Sequence, residues 1–93
     1  MEFAYVVIPV TVLKDERLTP FDRMLYSTIF SLTKQEGYCW ATTKYLAELV
    51  HESESYVSKS IAKLKKLNYL IVNTDYKQSY NKRRKISINY IVL

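Results

Sequence analysis

The hydrophobic pattern begins with a strand-like segment at residues 3–10, which is rich in β-branched and aromatic side chains. Such residues favour a strand, and Pro9 should end that strand or place it at a sheet edge. Both alternating faces of the segment are apolar, and a strand at the edge of a small domain should not expose so much apolar surface. We therefore expect a homodimer that buries this strand together with the first long helix. Residues 11–15 permit a short helical turn before that helix.

The next pattern has the spacing of an amphipathic helix. Leu25, Ile29 and Leu32 recur at intervals of four and three residues, which places them on one helical face. Thr19 precedes them as an N-cap and is followed directly by a proline at the first helical position. The pattern predicts a first long helix that starts after Thr19 and ends at Gly37.

Two shorter helical patterns follow in close succession. Thr42 caps a predicted second helix, and Ser53 caps a predicted third helix. In the third helix, Val57, Ile61 and Leu64 repeat at helical spacing and define its buried face. The two helices are joined by a tight turn, as in a helix-turn-helix arrangement.

Two special backbone positions and a strand pair complete the pattern. His51 in the turn and Asn68 after the third helix suit a left-handed backbone, which both residue types tolerate better than most. Residues 38–41 predict a short strand, residues 70–74 are β-prone, and residues 86–90 alternate between apolar and polar side chains. The sequence therefore predicts a β-hairpin after the third helix.

Positive charge is concentrated in the last third of the chain. The 93 residues carry a net charge of +5. Residues 1–58 hold five basic and eight acidic side chains, a net charge of −3, whereas residues 59–93 hold nine basic and one acidic, a net charge of +8. A dense patch of one sign is typical of a protein that binds a polyanion. Membranes and acidic proteins also suit such a patch.

Composition excludes several classes of function. One Cys and one His cannot form an internal disulfide or a zinc ligand set, and one Gly cannot form a phosphate-binding or dinucleotide-binding glycine motif. The longest apolar run is far shorter than a membrane span. We expect a cytoplasmic protein that has no metal or cofactor, does not enter a membrane and is not an enzyme. Cys39 and Trp40 lie among apolar neighbours, and we expect both in the core.

One domain over residues 1–93 accommodates all of these elements. Residues 42–70 resemble the winged helix-turn-helix superfamily in their caps, their buried positions and the start of the first wing strand. The resemblance implies an α+β fold with a three-helix core, a C-terminal β-hairpin wing and an N-terminal strand. The helix-turn-helix motif would span residues 42–67 and the wing residues 70–92. DNA binding is implied as well, although some winged helices bind only protein.

The segment before this motif contains a series of short motifs: Ile8–Pro9, Asp15, Arg17–Leu18, Thr19, Arg23–Tyr26 and Gly37–Trp40. In these motifs it resembles the N-terminal winged-helix domain of plasmid and phage replication initiators and replisome organisers from Gram-positive bacteria. The resemblance covers nearly all of the chain. It implies sequence-specific recognition of double-stranded DNA at a replication origin, often by a dimer, with replication proteins as further partners. A related function of the same kind of domain is the regulation of transcription.

The winged-helix arrangement also defines the candidate DNA contacts. In such a motif the recognition helix reads base edges, while other groups meet the phosphate backbone. On the recognition helix the candidates are Ser53, Ser55, Tyr56, Ser58, Lys59 and Lys63. On the first helix of the motif they are Thr42, Thr43 and Lys44, and on the wing they are Lys77, Lys82, Arg83, Arg84 and Lys85.

Each group of candidates has a structural alternative. Tyr56 lies beside an apolar stripe, where an aromatic side chain is commonly half-buried. The basic run at residues 82–85 is also typical of a solvated edge strand that resists aggregation. Glu52 and Glu54 place two carboxylates at the start of the recognition helix, where they either cap it by charge or select against some DNA. The competing function is a protein-interaction module of a replisome or partition complex that does not itself bind DNA.

Overall fold

The computed structural model describes residues 5–34, 36–75 and 83–93, whose regular elements are helices and one antiparallel hairpin. The helices are α1 (Val10–Lys14), α2 (Pro20–Leu32), α3 (Thr43–Val50) and α4 (Glu54–Lys66), and the strands are β1 (Leu70–Asp75) and β2 (Arg83–Ile88), followed by a 3-10 helix at Tyr90–Val92. The predicted α+β winged helix-turn-helix fold is confirmed. Helices α3 and α4 form the helix-turn-helix motif, and the β1–β2 hairpin is the wing.

The strand predicted for residues 3–10 is absent from its described part. Residues 5–9 have no regular secondary structure, and Val10 begins α1. Pro9 is the reason, because it takes the N-cap position of α1 and its carbonyl accepts the Leu13 N–H at 2.9 Å. The helical turn also carries Val12 into the core, where its side chain is fully buried.

Helix α2 begins where the sequence predicts and ends earlier. The Thr19 side chain accepts the Asp22 N–H at 3.1 Å, and the Asp22 carboxylate accepts the Thr19 N–H at 3.0 Å, which is a complete capping box. The helix ends at Leu32 rather than at Gly37. Thr33 ends it, since its hydroxyl donates to the Phe30 carbonyl at 2.6 Å and competes with the next helical turn. Gly37, at φ 82°, closes the turn that follows.

Both predicted left-handed positions are confirmed. His51 has φ 57° at the end of α3, and Asn68 has φ 66° after α4. The turn at His51 directs the Glu52 N–H to the Ala47 carbonyl at 3.0 Å. It is this turn that sets α4 against α3 in the helix-turn-helix motif.

The wing is tied to the segment that leads into α3. In the hairpin, Leu70 is paired with Ile88. Cys39 forms a bridge to the hairpin, because its N–H donates to the Ile86 carbonyl at 2.7 Å and its carbonyl accepts the Ile86 N–H at 3.0 Å. This bridge confirms a strand-like contact within residues 38–41. The predicted continuation of β2 through Tyr90 is wrong, since that residue starts the 3-10 helix.

The core lies between α2, α3, α4 and the inner face of the wing. Its fully buried side chains include Leu25, Tyr26, Ile29, Leu46, Val57, Leu64 and Ile86. Cys39 is buried as predicted, whereas Trp40 is 38% exposed, so its placement in the core is wrong. In the described part of the chain no helix is long and apolar enough to cross a membrane.

Candidate nucleic-acid interface

Helix α4 is positioned by its own cap and by the turn before it. The Ser53 hydroxyl accepts the Tyr56 N–H at 3.1 Å, which satisfies one of the free donors at the start of the helix. Val57, Ile61 and Leu64 are buried against the core. The opposite side of α4 therefore faces solvent over its whole length.

The exposed side of α4 carries most of the predicted base-reading residues. Ser55, Ser58 and Lys59 are exposed, as are Lys65 and Lys66 near the end of the helix. Because side chains four residues apart share a helical face, Ser55 and Lys59 lie one above the other. Small polar groups at the start of the helix and cations at its end share this exposed side, with the exposed Ala62 between them. Contact of this surface with DNA stays a prediction.

Two of the predicted contact residues lie instead on the flank of α4 that faces α2. The Tyr56 ring lies 4.6 Å from the Phe21 ring, centre to centre, and Tyr56 is 44% exposed. The Lys63 ammonium lies 2.8 Å from a carboxylate oxygen of Asp22. Tyr56 is therefore a half-exposed packing residue, and Lys63 is already paired within the domain.

Hydroxyl and basic side chains gather at the start of α3. The Thr42 hydroxyl accepts the Tyr45 N–H at 3.0 Å, and Lys44 is exposed in the first turn. Arg84 reaches this point from β2, donating from Nη1 to the Thr43 hydroxyl at 3.1 Å and from Nη2 to the Ala41 carbonyl at 2.9 Å. Burial lowers the pKa of Arg84 from its ordinary value. Within the described residues, no carboxylate forms an ion pair with Arg84.

This arrangement suits an anion. The first N–H groups of a helix and its dipole attract negative charge, and a guanidinium presents donors to phosphate in a planar fork. Arg84 adds its positive charge at the N-terminus of α3, which is also the positive end of the helix dipole. A phosphate group at the start of α3 would be attracted by the guanidinium and by the helix dipole.

On the wing, Lys85 lies against two aromatic rings. The Lys85 ammonium lies 4.8 Å from the centre of the Tyr38 ring and 5.1 Å from that of Trp40. The two rings meet edge to face at an interplanar angle of 90°. Attraction between the cation and the ring faces holds Lys85 beside the segment that precedes α3. Of the other predicted wing contacts, Arg83 belongs to β2, while Lys77 and Lys82 lie outside the described residues.

Asp22 and Ser60 make a contact that the sequence analysis did not identify. The Ser60 hydroxyl donates to an Asp22 carboxylate oxygen at 2.6 Å, and both residues are buried. A signal for it was present, because Ser60 is a polar residue three positions after Val57 on the buried face of α4.

Comparison with protein families supports the helix-turn-helix assignment, although a search of curated proteins found no significant match. A family model described as a helix-turn-helix domain, HTH_36, matches residues 16–70, more than half of the chain. The matched range contains α2, α3 and α4 and reaches the first residue of β1. The chain therefore belongs to this helix-turn-helix domain family.

Proposed function

We propose that this domain binds double-stranded DNA in a sequence-specific manner, with α4 as the recognition helix in the major groove. The observation that carries the proposal is the exposed polar side of α4, which starts with Ser55 and Lys59 and is flanked by the cationic start of α3. Recognition helices of helix-turn-helix domains place their first outward residues against base edges. Ser53, Ser55, Ser58 and Lys59 occupy those positions here.

Backbone contacts would come from the groups on either side of α4. Thr42, Thr43 and Lys44 at the start of α3 are suited to one phosphate, with Arg84 as the charged partner. The wing would contact the DNA backbone or an adjacent minor groove through its basic residues. These are Lys77, Lys82, Arg83 and Lys85. Phosphate contacts set the register of the helix on the duplex, and base contacts set the preferred sequence.

The role we propose is recognition of an origin in plasmid or phage replication, or a related role in transcription regulation. Support comes from the resemblance of the segment before α3 to replication initiators and replisome organisers. Burial raises the pKa of Cys39 and disfavours the reactive thiolate, so this thiol is poorly suited to nucleophilic catalysis. No group of three potential metal ligands occurs in the described part of the chain.

We also propose that the domain acts as a homodimer through its N-terminal segment. Tyr5 and Val7 in that segment, and Val10 at the start of α1, are exposed apolar side chains. Paired domains would match repeated DNA sites, which such domains commonly read. Replication proteins are the further partners that the family resemblance implies.

Salt dependence of DNA binding tests the proposed function. Binding of the purified domain to a fluorescein-labelled duplex is measured by anisotropy over a series of salt concentrations. Contact with four to six phosphates predicts a log–log slope of roughly −4 to −5 per monomer, at about −0.9 per phosphate. Competition between selected and random duplexes then measures specificity. A flat salt response would contradict DNA binding and favour the protein-interaction module.

A further inference from the structure

Asp22 connects α2 to the recognition helix through a buried carboxylate. Asp22 is 5% exposed, and its carboxylate accepts hydrogen bonds from the Ser60 hydroxyl at 2.6 Å and the Lys63 ammonium at 2.8 Å. A third hydrogen bond comes from the Thr19 N–H, at 3.0 Å. Two of the three donors thus belong to α4, while the acceptor also caps α2. One carboxylate therefore fixes the start of one helix and the orientation of the other.

The charge of Asp22 depends on these partners. Burial alone would raise the pKa of Asp22, but the hydrogen bonds from Lys63 and Ser60 outweigh it and lower the pKa below its ordinary value. Asp22 is therefore ionised at neutral pH. A buried carboxylate that lost its cation would be left with an unpaired charge, so Lys63 is held firmly in place.

Lys63 and Lys59 differ in what they can offer to DNA. Both are lysines of α4, four residues apart, yet Lys59 is exposed and Lys63 is partly buried and paired with Asp22. An ammonium already neutralised by a carboxylate releases few counterions when DNA approaches. Lys59 can therefore contribute a phosphate or base contact that Lys63 cannot.

From this contrast we infer that Asp22 is a positioning residue for DNA binding, which withholds Lys63 from the phosphate backbone and fixes the rotation of α4. The inference rests on the proposed function. It assigns the outward contacts of the helix to Ser55, Ser58 and Lys59. Lys63 becomes available to phosphate only when Asp22 loses its charge.

The first test compares Lys63→Gln with the matched variant Lys59→Gln. Glutamine at position 63 retains a donor for Asp22 but carries no charge. Salt titrations with a fluorescein-labelled random-sequence duplex should give Lys63→Gln the wild-type slope. On a random-sequence duplex, which offers no selected base for Lys59, the exposed Lys59 ammonium should meet a phosphate, so the slope of Lys59→Gln should be shallower by about 0.9. An equal loss of slope in both variants would overturn the inference.

A second test releases Lys63. Asp22→Asn should make the salt slope steeper by about 0.9, because the freed ammonium gains a phosphate contact. The double variant Asp22→Asn/Lys63→Gln should return to the wild-type slope. A folded Asp22→Asn protein with an unchanged slope would overturn the inference. If Asp22→Asn does not fold, as judged by circular dichroism, the comparison of Lys63→Gln with Lys59→Gln decides whether the inference holds.

Failure of the proposed function has a different signature. A wild-type domain whose duplex binding does not respond to salt would contradict DNA binding itself. A wild-type domain that binds with a steep slope, but loses slope in Lys63→Gln, would contradict only the assignment of Asp22 and Lys63.

Discussion

The guanidinium of Arg84 donates to the Thr43 hydroxyl over 3.1 Å and so fastens the wing to the first residue of α3. The same guanidinium donates to the Ala41 carbonyl, just before the helix. Since Cys39 is also bridged to Ile86, the wing and the start of α3 are joined at two neighbouring places. Positive groups from the wing and from the helix-turn-helix motif therefore belong to one rigid surface.

We predict that Arg84→Lys lowers the affinity for duplex DNA about tenfold, since a hydrogen bond to a charged group is worth roughly 1.5–3 kcal/mol. An ammonium lacks the planar fork that serves Thr43, Ala41 and a phosphate together. Anisotropy titrations at fixed salt measure the effect. Lys65→Arg, which keeps the charge at an exposed position of α4, is the control and should bind like wild type. Equal affinity of Arg84→Lys and wild type would argue against a phosphate at the start of α3.

Sequence preference should depend on the outward residues at the start of α4. Lys59→Ala and Ser55→Ala should change the preferred sequence, at a cost of about 1–3 kcal/mol in discrimination at a contacted base pair. Lys66→Ala should weaken binding to all sequences equally, because a contact to phosphate carries no sequence information. Selection of bound duplexes from a random pool distinguishes the two effects. Identical behaviour of the three variants would show that the outward face of α4 is assigned incorrectly.

Short-range signals explain why much of the fold could be predicted from the sequence. Thr19 and Ser53 cap their helices through bonds that span three residues. His51 and Asn68 adopt left-handed backbones, which both residue types tolerate better than most. Each of these features is determined by residues within one helical turn. They locate the helices and hence the helix-turn-helix motif.

Contacts between distant parts of the chain could not be predicted in this way. Asp22 and Ser60 are 38 residues apart, and Arg84 and Thr43 are 41 apart, so no local pattern joins either pair. At residues 5–9 a local signal was misleading: their β-branched composition favours a strand, yet they have no regular secondary structure and Pro9 takes the N-cap position of α1. Tertiary contacts override local preference at these positions.

The N-cap of the recognition helix should contribute measurably to stability. Ser53→Ala should lower the free energy of unfolding by about 1 kcal/mol, since the Tyr56 N–H loses its acceptor. Urea denaturation followed by circular dichroism measures this change. Ser58→Ala is the matched control, because the same substitution at an exposed position inside α4 should be neutral or slightly stabilising. Equal effects of the two variants would mean that the cap adds nothing.

The proposed homodimer predicts a sedimentation result. Wild type should sediment as a dimer at micromolar concentration, and Val7→Glu should give a folded monomer with weaker DNA binding and a shallower salt slope. Val7 is 48% exposed in the single chain, so a carboxylate there should be tolerated without a partner. Ile71→Glu, at an exposed apolar position on β1, should remain dimeric. A monomeric wild-type domain would refute the proposal.

Tyr26 and Tyr69 are neighbouring buried tyrosines with opposite hydrogen-bonding situations. Their rings lie 5.9 Å apart. The Tyr26 hydroxyl has no hydrogen-bond partner among the described residues, whereas the Tyr69 hydroxyl donates to Asp15 at 2.6 Å. Tyr26→Phe should therefore stabilise the domain by about 1 kcal/mol, and Tyr69→Phe should destabilise it by about 1–2 kcal/mol. Thermal and urea denaturation would detect either change, and destabilisation by Tyr26→Phe would indicate that its hydroxyl is satisfied.

The burial of the Tyr26 hydroxyl should also make the stability of the domain depend on pH in the alkaline range. Burial raises the pKa of Tyr26 from 10.0 to about 12 in the folded protein, so the folded state holds this proton more tightly than the unfolded state. The corresponding stability is fully present below pH 10 and is lost as the pH rises towards about 12. Tyr26→Phe removes this proton and should flatten the decline of the unfolding free energy in that range. Urea denaturation at a series of alkaline pH values measures the slope, and an unchanged slope would mean that Tyr26 titrates alike in both states.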